Sequence, residues 1–268
     1  MVLRSFVVSV FGLAAASACA ILSPVSARGD GWDPQGLAAF EAFAFSEGEK
    51  FQTDALLVIA DGKTVIERYG RGYHSTMPHY GWSLAKSVSM AILGAAEADG
   101  FVRRDDAVSK WVPEAAGTAW DRIQLRHLVS MSSGSLWREG YETSPFDSHV
   151  VSALYRTAAS RDFGLLPIRL GKFVAPPGER FNYASGDTNL MMRALRNALG
   201  TKYESFPWDR IFLPLGAKSF VMERDQSGTF VGSSYIVATA RDFAKFGELF
   251  LAGGVANGKQ ILPKEWVA

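Results

Sequence analysis

A serine and a lysine separated by two residues stand at the start of a long apolar segment. Ser83 and Lys86 are three positions apart, so on a helix their side chains share one face, about one turn apart. Lys86 is the only charged residue between Trp82 and Glu97. Burial and the positive end of the helix macrodipole both disfavour its protonated form, which would make the amine a usable general base. The spacing therefore predicts a serine nucleophile activated by a lysine.

Two other interpretations of this serine stay open. In the first, Ser83 only caps the helix and Lys86 extends along the apolar surface to water. In the second, Gly81-Trp-Ser83-Leu-Ala85 is a variant of the Gly-x-Ser-x-Gly turn of α/β-hydrolases. That fold requires an acid and then a histidine well downstream, and the last histidine here is His149, which argues against it. In the predicted nucleophilic role, the Ser83 amide at the helix N-terminus could also donate to an oxyanion.

A second polar group follows a Pro-Gly turn later in the chain. After Pro177-Gly178 comes Tyr183-Ala-Ser185, and a helix is predicted to start there with Ser185 or Asp187 as its N-cap. Tyr183 therefore lies on a short extended link, from which a phenol can pass a proton between nucleophile, base and leaving group. Taken alone, Tyr183 could equally be a half-buried packing residue.

The secondary-structure elements that must position these residues follow from hydrophobic periodicity. Two β-rich runs, 55–60 and 63–69, are joined by Asp61-Gly62, which predicts a hairpin. Helices are predicted over 37–45, 83–99, 123–132, 148–159, 187–199 and 238–251. Gly100 and Gly200 follow two of them, as left-handed residues at helix C-termini do. Strands come early and helices dominate about 100–235, which predicts an α/β (α+β) fold, a sheet domain with an inserted helical region.

Composition narrows the classes of partner and cofactor. The chain has 268 residues, 48% of them hydrophobic, and a formal net charge of +1, which offers no footprint for a nucleic-acid backbone. Its single cysteine, Cys19, excludes an intrachain disulfide. Its four histidines form no metal-binding pair of the His-x-x-x-His type, so we expect neither a metal nor an organic cofactor. The expected partner is a small-molecule substrate, and the oligomeric state is not indicated.

The N-terminal segment has the pattern of a secretory signal peptide. Arg4 is followed by an apolar run with no charge until Arg28, and small residues permit cleavage after Ala20 or Ala27. Residues 1–27 are therefore predicted to be a leader, with export to the periplasm or medium and no membrane span in the mature chain, 28–268. A lipoprotein attached through Cys19 and an uncleaved anchor are the alternatives.

Together these motifs resemble the serine β-lactamase-related (penicillin-recognising) superfamily. Segments 126–134, 238–247 and 258–263 resemble its other conserved stretches in the same order, and the resemblance runs from about residue 55 to the end. It implies a β-lactamase/transpeptidase-like fold, an antiparallel sheet flanked by helices. It also implies acyl transfer by Ser83, Lys86 and Tyr183.

Within the superfamily, the chain most resembles the branch of class C β-lactamases, DD-peptidases, family VIII-type esterases and 6-aminohexanoate-dimer hydrolases. Ser185 stands where most β-lactamases carry asparagine, and a serine has no carboxamide to hold a penicillin side chain. We therefore expect amide or ester hydrolysis, with a β-lactamase or D-alanyl-D-alanine carboxypeptidase as the alternative. Ser185 is a candidate substrate contact, and the resemblance to nylon-oligomer hydrolases makes Tyr141 another.

The third motif that the resemblance implies, a Lys/His/Trp-x-Gly triplet on a strand, does not follow Tyr183. The only His-x-Gly is His79-Tyr-Gly81, ahead of the nucleophile. We therefore expect that C-terminal strands are missing and that the hairpin of 55–69 keeps an exposed sheet edge. A non-catalytic relative of the same fold, or an inert fragment, is the alternative from another functional class.

Overall fold

The computed structural model describes residues 6–11, of which only the backbone is considered, 33–46, 52–141, 147–155 and 162–267. Its strands and α-helices are, in chain order, β1 (Phe6–Phe11), α1 (Pro34–Ala44), β2 (Ala55–Ala60), β3 (Lys63–Tyr69), β4 (Pro78–Tyr80), α2 (Leu84–Ala98), α3 (Val108–Trp111), α4 (Leu125–Val129), α5 (His149–Tyr155), α6 (Leu166–Leu170), α7 (Ser185–Leu199), β5 (Val221–Met222), β6 (Ile236–Thr239), α8 (Ala240–Leu251), β7 (Val255–Ala256) and β8 (Lys259–Gln260). Short 3₁₀ turns and one π-helical turn, Trp208–Phe212, connect them.

The chain forms two compact units, and the first comprises residues 1–79 and 238–252. This unit is an antiparallel sheet of order β1-β2-β3 covered on both faces by helices. Successive side chains of a strand point to opposite faces. The odd-numbered residues of β2 accordingly pack against α8, whereas Leu56 and Val58 pack against α1. Because both faces are buried, β2 is apolar throughout rather than alternating.

The predicted hairpin is confirmed. Asp61 and Gly62 both have positive φ, +50° and +73°, as a tight two-residue turn between twisted strands requires. On the other side of β2, β1 pairs in antiparallel register from Phe6 opposite Ala60 to Phe11 opposite Ala55. Within the described residues no strand pairs with the outer edge of β3.

β1 falls within the predicted leader, residues 1–27. The remaining residues of that leader, including Cys19 and both predicted cleavage sites, lie outside the described residues. Its cleavage stays a prediction.

The second unit comprises residues 80–237 and 253–268 and contains the predicted helical region. Ten residues of α2 are buried, and Lys86 is the only charged one among them. α7 packs against α2, and its inward face carries Leu190, Met191 and Leu195. A short antiparallel pair joins Val221 and Met222 to Val237 and Ile236.

Several helix ends differ from their predictions. α1 begins at Pro34 rather than at residue 37, and the N-cap of α7 is Ala184, without a side-chain capping bond, rather than Ser185 or Asp187. The predicted 123–132 helix is only α4, and Met131 with φ +51° lies just beyond its end. The predicted 238–251 helix begins later, at Ala240, because the Thr239 hydroxyl accepts from the Asp242 amide as an N-cap. α5 covers the first part of the predicted 148–159 helix, and residues 156–161 lie outside the described residues.

α2 and α7, each of 15 residues, are the longest helices in the described part of the chain. At about 1.5 Å per residue they fall short of a hydrocarbon core about 30 Å thick. No helix among the described residues is long and apolar enough to cross a bilayer.

Candidate active site

The turn that leads into α2 presents Ser83. The Gly81 amide donates to the Ile236 carbonyl at 2.8 Å, which fixes the start of the turn. Trp82 follows with φ +44°, a strained conformation for a residue with a side chain. Ser83 then occupies the N-cap position, but its hydroxyl makes no capping hydrogen bond. This geometry argues against the purely structural interpretation of Ser83, because the hydroxyl is directed elsewhere.

Lys86 meets that hydroxyl inside the protein. Its Nζ donates to Ser83 Oγ at 3.2 Å and to the Ser233 carbonyl at 2.9 Å. The residue is 8% exposed, so its amine does not extend to solvent. The same Nζ lies 4.8 Å from the centroid of the Tyr183 ring, a cation–π distance. The structure therefore brings together all three residues that the sequence predicts to be catalytic.

This arrangement suits proton transfer from a hydroxyl. Nζ and Ser83 Oγ are at hydrogen-bond distance, so an unprotonated amine would accept the hydroxyl proton without a large movement. The two oxygens that Nζ contacts carry no formal charge, so they orient the amine without forming an ion pair. Tyr183 is 38% exposed, so its side chain is accessible to a reactant.

The segment that carries the Ser233 carbonyl was not predicted. Its 232–233 peptide is held from both sides, because Ser89 Oγ donates to the Gly232 carbonyl at 2.9 Å and the Ser233 amide donates to Asn189 Oδ1 at 3.2 Å. A Cβ on Gly232 would lie 2.3 Å from Ser89 Oγ, so any larger residue would require the Ser89 side chain or the backbone to move. The residue that could have indicated a partner for α2 in this segment is Ser89. It lies three residues after Lys86, as Lys86 lies three residues after Ser83, on a largely apolar helix.

The extended link before α7 is fixed by the backbone and the side chain of Asn182. The Asn182 amide N–H donates to the Met131 carbonyl at 2.9 Å, and Asn182 Nδ2 donates to the Trp137 carbonyl at 3.1 Å. Tyr183 therefore projects from a link attached along its length to the 131–137 segment, as an aimed side chain requires.

A buried carboxyl group lies beneath this link. Asp187, in the first turn of α7, is 1% exposed, and its Oδ1 accepts from Ser133 Oγ at 2.9 Å and from Ser135 Oγ at 3.4 Å. Burial raises the pKa of Asp187 to about 7, although both serine hydrogen bonds act in the opposite direction. Asp187 thus joins α7 to the Ser132-Ser-Gly134 segment.

Ser185 and Tyr141, the two predicted substrate contacts, differ in accessibility. Ser185 is 1% exposed, and both its hydroxyl and its amide donate to the Glu139 carboxylate. A direct substrate contact by Ser185 would break its hydroxyl bond to Glu139. Tyr141 is 60% exposed, and its hydroxyl also donates to Glu139, at 2.9 Å. Glu139 had not been singled out from the sequence.

A family model and a named relative both match most of this chain. A family model described as Beta-lactamase matches residues 42–268. The 6-aminohexanoate-dimer hydrolase of Paenarthrobacter ureafaciens is 27% identical over 231 residues, which are 82% of this chain and 57% of the relative. This chain therefore spans little more than half the length of that relative.

Solved structures share the fold. One from Bacillus anthracis, assigned provisionally by name to the 6-aminohexanoate-dimer hydrolases, has a TM-score of 0.67 and 27% identity, covering 80% of this chain and 58% of that chain. An octameric penicillin-binding protein homologue from Pyrococcus abyssi has a TM-score of 0.57 and 19% identity, covering 80% of this chain and 54% of that chain. The predicted β-lactamase/transpeptidase-like fold is thereby confirmed.

Proposed function

The chain belongs to the beta-lactamase family, and from that premise we propose that it is a serine hydrolase that cleaves an amide or ester bond of a small substrate through an acyl-enzyme. The observation that carries this proposal is the hydrogen bond of 3.2 Å between the buried Lys86 amine and Ser83 Oγ. The Tyr183 ring beside that amine supports it.

The proposed reaction has two stages. Lys86, assisted by Tyr183, takes the proton of Ser83 Oγ, and the oxygen attacks the substrate carbonyl carbon. The tetrahedral intermediate collapses, and Tyr183 or Lys86 delivers the proton to the departing amine or alcohol, leaving an ester on Ser83. Water then attacks that ester and releases the acid. The Ser83 amide at the start of α2 is the proposed donor to the oxyanion.

The proposed substrate class is a linear amide or ester of the 6-aminohexanoate-oligomer type. The named relative supports it, as does Ser185 in place of the asparagine of most β-lactamases. Turnover of four compounds by the full chain decides among the alternatives: a short-chain ester, a 6-aminohexanoate dimer, nitrocefin and a D-Ala-D-Ala peptide. Preferential hydrolysis of nitrocefin or of the peptide would replace this substrate class with the alternative.

Substitution of the nucleophile tests the chemistry. Ser83→Ala should abolish both p-nitrophenyl ester turnover and covalent labelling by a fluorophosphonate. Ser46→Ala, the same change at an exposed serine, should leave both intact. Labelling or turnover that persists in Ser83→Ala removes Ser83 from the role, and a folded wild-type chain that neither labels nor turns over supports a non-catalytic relative.

We also propose that the protein is exported, on the pattern of residues 1–27 alone. Expression with the native leader should place a chain that begins after Ala20 or Ala27 in the periplasm or medium. Mass spectrometry of the N-terminus measures this, and an intact leader on cytosolic protein would overturn it.

A further inference from the structure

One carboxylate receives four donors beside the candidate active site. Glu139 Oε2 accepts from the Ser185 amide at 2.9 Å and from Trp137 Nε1. Its Oε1 accepts from the Tyr141 hydroxyl at 2.9 Å and from the Ser185 hydroxyl. An ionised carboxylate has about four lone-pair sites, so these bonds fill its capacity as an acceptor.

The position of Glu139 explains how the anion is accommodated. Ser185 is the first residue of α7, a 15-residue helix, and its amide points out of the positive end of the helix macrodipole. The carboxylate therefore gains from the helix dipole as well as from charge-assisted hydrogen bonds. With every lone-pair site occupied by a protein donor, no acceptor site remains for a hydrogen bond from a cationic group on a substrate.

The loop that carries Glu139 is attached to the same helix by packing. Trp137 is 4% exposed and packs against Ala184, which immediately precedes α7. A Cβ on Gly186 would lie 2.5 Å from the Trp137 ring, so the ring lies directly against the helix backbone. Glu139 thus sits on a loop whose separation from α7 is fixed, although the Tyr141 side chain at its end is 60% exposed.

The hydrogen bond to Glu139 holds the exposed Tyr141 ring by its hydroxyl group. Burial of the hydroxyl and the adjacent Glu139 charge both raise the pKa of Tyr141, so the phenol remains a donor. Ser185, which donates to the same carboxylate, lies only two residues after Tyr183 in the chain, so Tyr141 is held beside the link that carries Tyr183. The Glu139 carboxylate therefore determines the position of the Tyr141 phenol relative to the link that carries Tyr183, the proposed proton relay.

We propose that Glu139 is a positioning residue that determines specificity. It holds the Tyr141 hydroxyl and the start of α7 at a fixed separation, so that a substrate meets a preformed wall of neutral aromatic side chains. The inference rests on the proposed function, because it assigns Tyr141 to the wall of that site. It differs from an electrostatic role, in which Glu139 would bind the ammonium group of an amino-acyl substrate.

Two substrates of matched length separate these roles in Glu139→Gln. They are p-nitrophenyl heptanoate and p-nitrophenyl 6-aminohexanoate, in which a terminal methyl group and a terminal ammonium group occupy the same position. A glutamine keeps the size but replaces one acceptor oxygen with a donor, which opposes the donors already there. We expect KM to rise about tenfold for both esters, the effect of losing a hydrogen bond to a charged group, with kcat changed less. Glu179→Gln, the same change at an exposed position, should alter neither parameter.

Combining Glu139→Gln with Tyr141→Phe distinguishes a positioning role of Glu139 from a general loss of structure. Tyr141→Phe should raise KM for both esters in the wild type and add little in Glu139→Gln, because both changes remove one contact. If Glu139→Gln does not fold, Tyr141→Phe and Ser185→Ala test the same interaction, because each removes one hydroxyl group that donates to Glu139. A KM increase confined to the ammonium ester, or unchanged KM for both esters, overturns the proposal. Wild-type turnover and fluorophosphonate labelling of Ser83 report separately on the proposed function.

Discussion

Gly232→Ala should impair the protein through the position of one carbonyl group. The added Cβ would lie 2.3 Å from Ser89 Oγ and 2.5 Å from Met192 Cγ, so the chain or its neighbours must move. Overpacking of this kind costs about 1–3 kcal/mol of unfolding free energy. In a chain of this size that is a fall in Tm of roughly 2–12 °C.

The same movement should slow the chemistry. It shifts the Ser233 carbonyl, which accepts from Lys86 Nζ at 2.9 Å. Loss of a hydrogen bond between neutral groups is worth about 0.5–1.5 kcal/mol. Because that bond orients the amine toward Ser83 Oγ, we expect kcat to fall roughly twofold to tenfold.

A substitution of Ser89 tests whether the contact between the new Cβ and Ser89 Oγ causes these losses. Ser89→Ala removes the hydroxyl that the new Cβ would strike, and it also removes the 2.9 Å bond to the Gly232 carbonyl. Ser89→Ala/Gly232→Ala should therefore be more stable and more active than the sum of the single changes predicts. Met192, which is flexible, can move aside.

The assay is steady-state hydrolysis of a p-nitrophenyl ester, with fluorophosphonate labelling rates and thermal melts on all four proteins. A Gly232→Ala protein with Tm and kcat close to the wild-type values would refute the reasoning, because the close contact would then have no consequence. Strictly additive losses in the double variant would show that Ser89 is not the neighbour that matters.

Three further outcomes are expected. In the folded state the pKa of Asp187 is raised to about 7 from 3.8. Between these two pH values the folded protein keeps a proton on Asp187 that the unfolded chain releases. The free energy of unfolding should therefore fall as pH rises from about 4 to 7, by up to about 4 kcal/mol. Asp187→Asn should remove this fall in urea titrations at pH 5 and pH 8, and an unchanged fall would assign it to another group. Gly186→Ala should lower the unfolding free energy by about 1–3 kcal/mol in the same titrations, because its Cβ would meet the Trp137 ring; an unchanged midpoint would contradict the close contact. Gly100→Ala, where φ is +78° and nothing lies within 4 Å, should cost about 1 kcal/mol from backbone strain alone, with Gly100→Asn costing less in thermal melts.

The proximity of the candidate catalytic residues could be predicted because their relation is local. Ser83 and Lys86 share one helix, so helical periodicity alone places them together, and the apolar residues around Lys86 predict its burial. The hairpin turn at Asp61-Gly62 is equally local. Hydrophobic periodicity alone could not place Tyr183 beside Lys86, because their proximity depends on how α7 packs. That prediction also relied on the Tyr183-Ala-Ser185 motif.

The parts that could not be predicted depend on contacts between residues distant in the chain. The Ser233 carbonyl is 147 positions from Lys86, and a backbone oxygen leaves no signature in residue types. Glu139 looks like an ordinary loop acid until Ser185, 46 positions later, is placed against it. The short strands β5 and β6 were also missed, since strands of two and four residues show too little alternation to be recognised.

The pairing of β1 with β2 gives six residues two incompatible roles. If Phe6–Phe11 belongs to a leader, it must be unpaired and extended to enter a translocation channel, whereas in the folded chain its backbone is bonded along the whole of β2. A precursor that folds early would therefore conceal its own export signal. After cleavage, the freed row of N–H and C=O groups on β2 would be open to whichever strand arrives next, from the same molecule or from another.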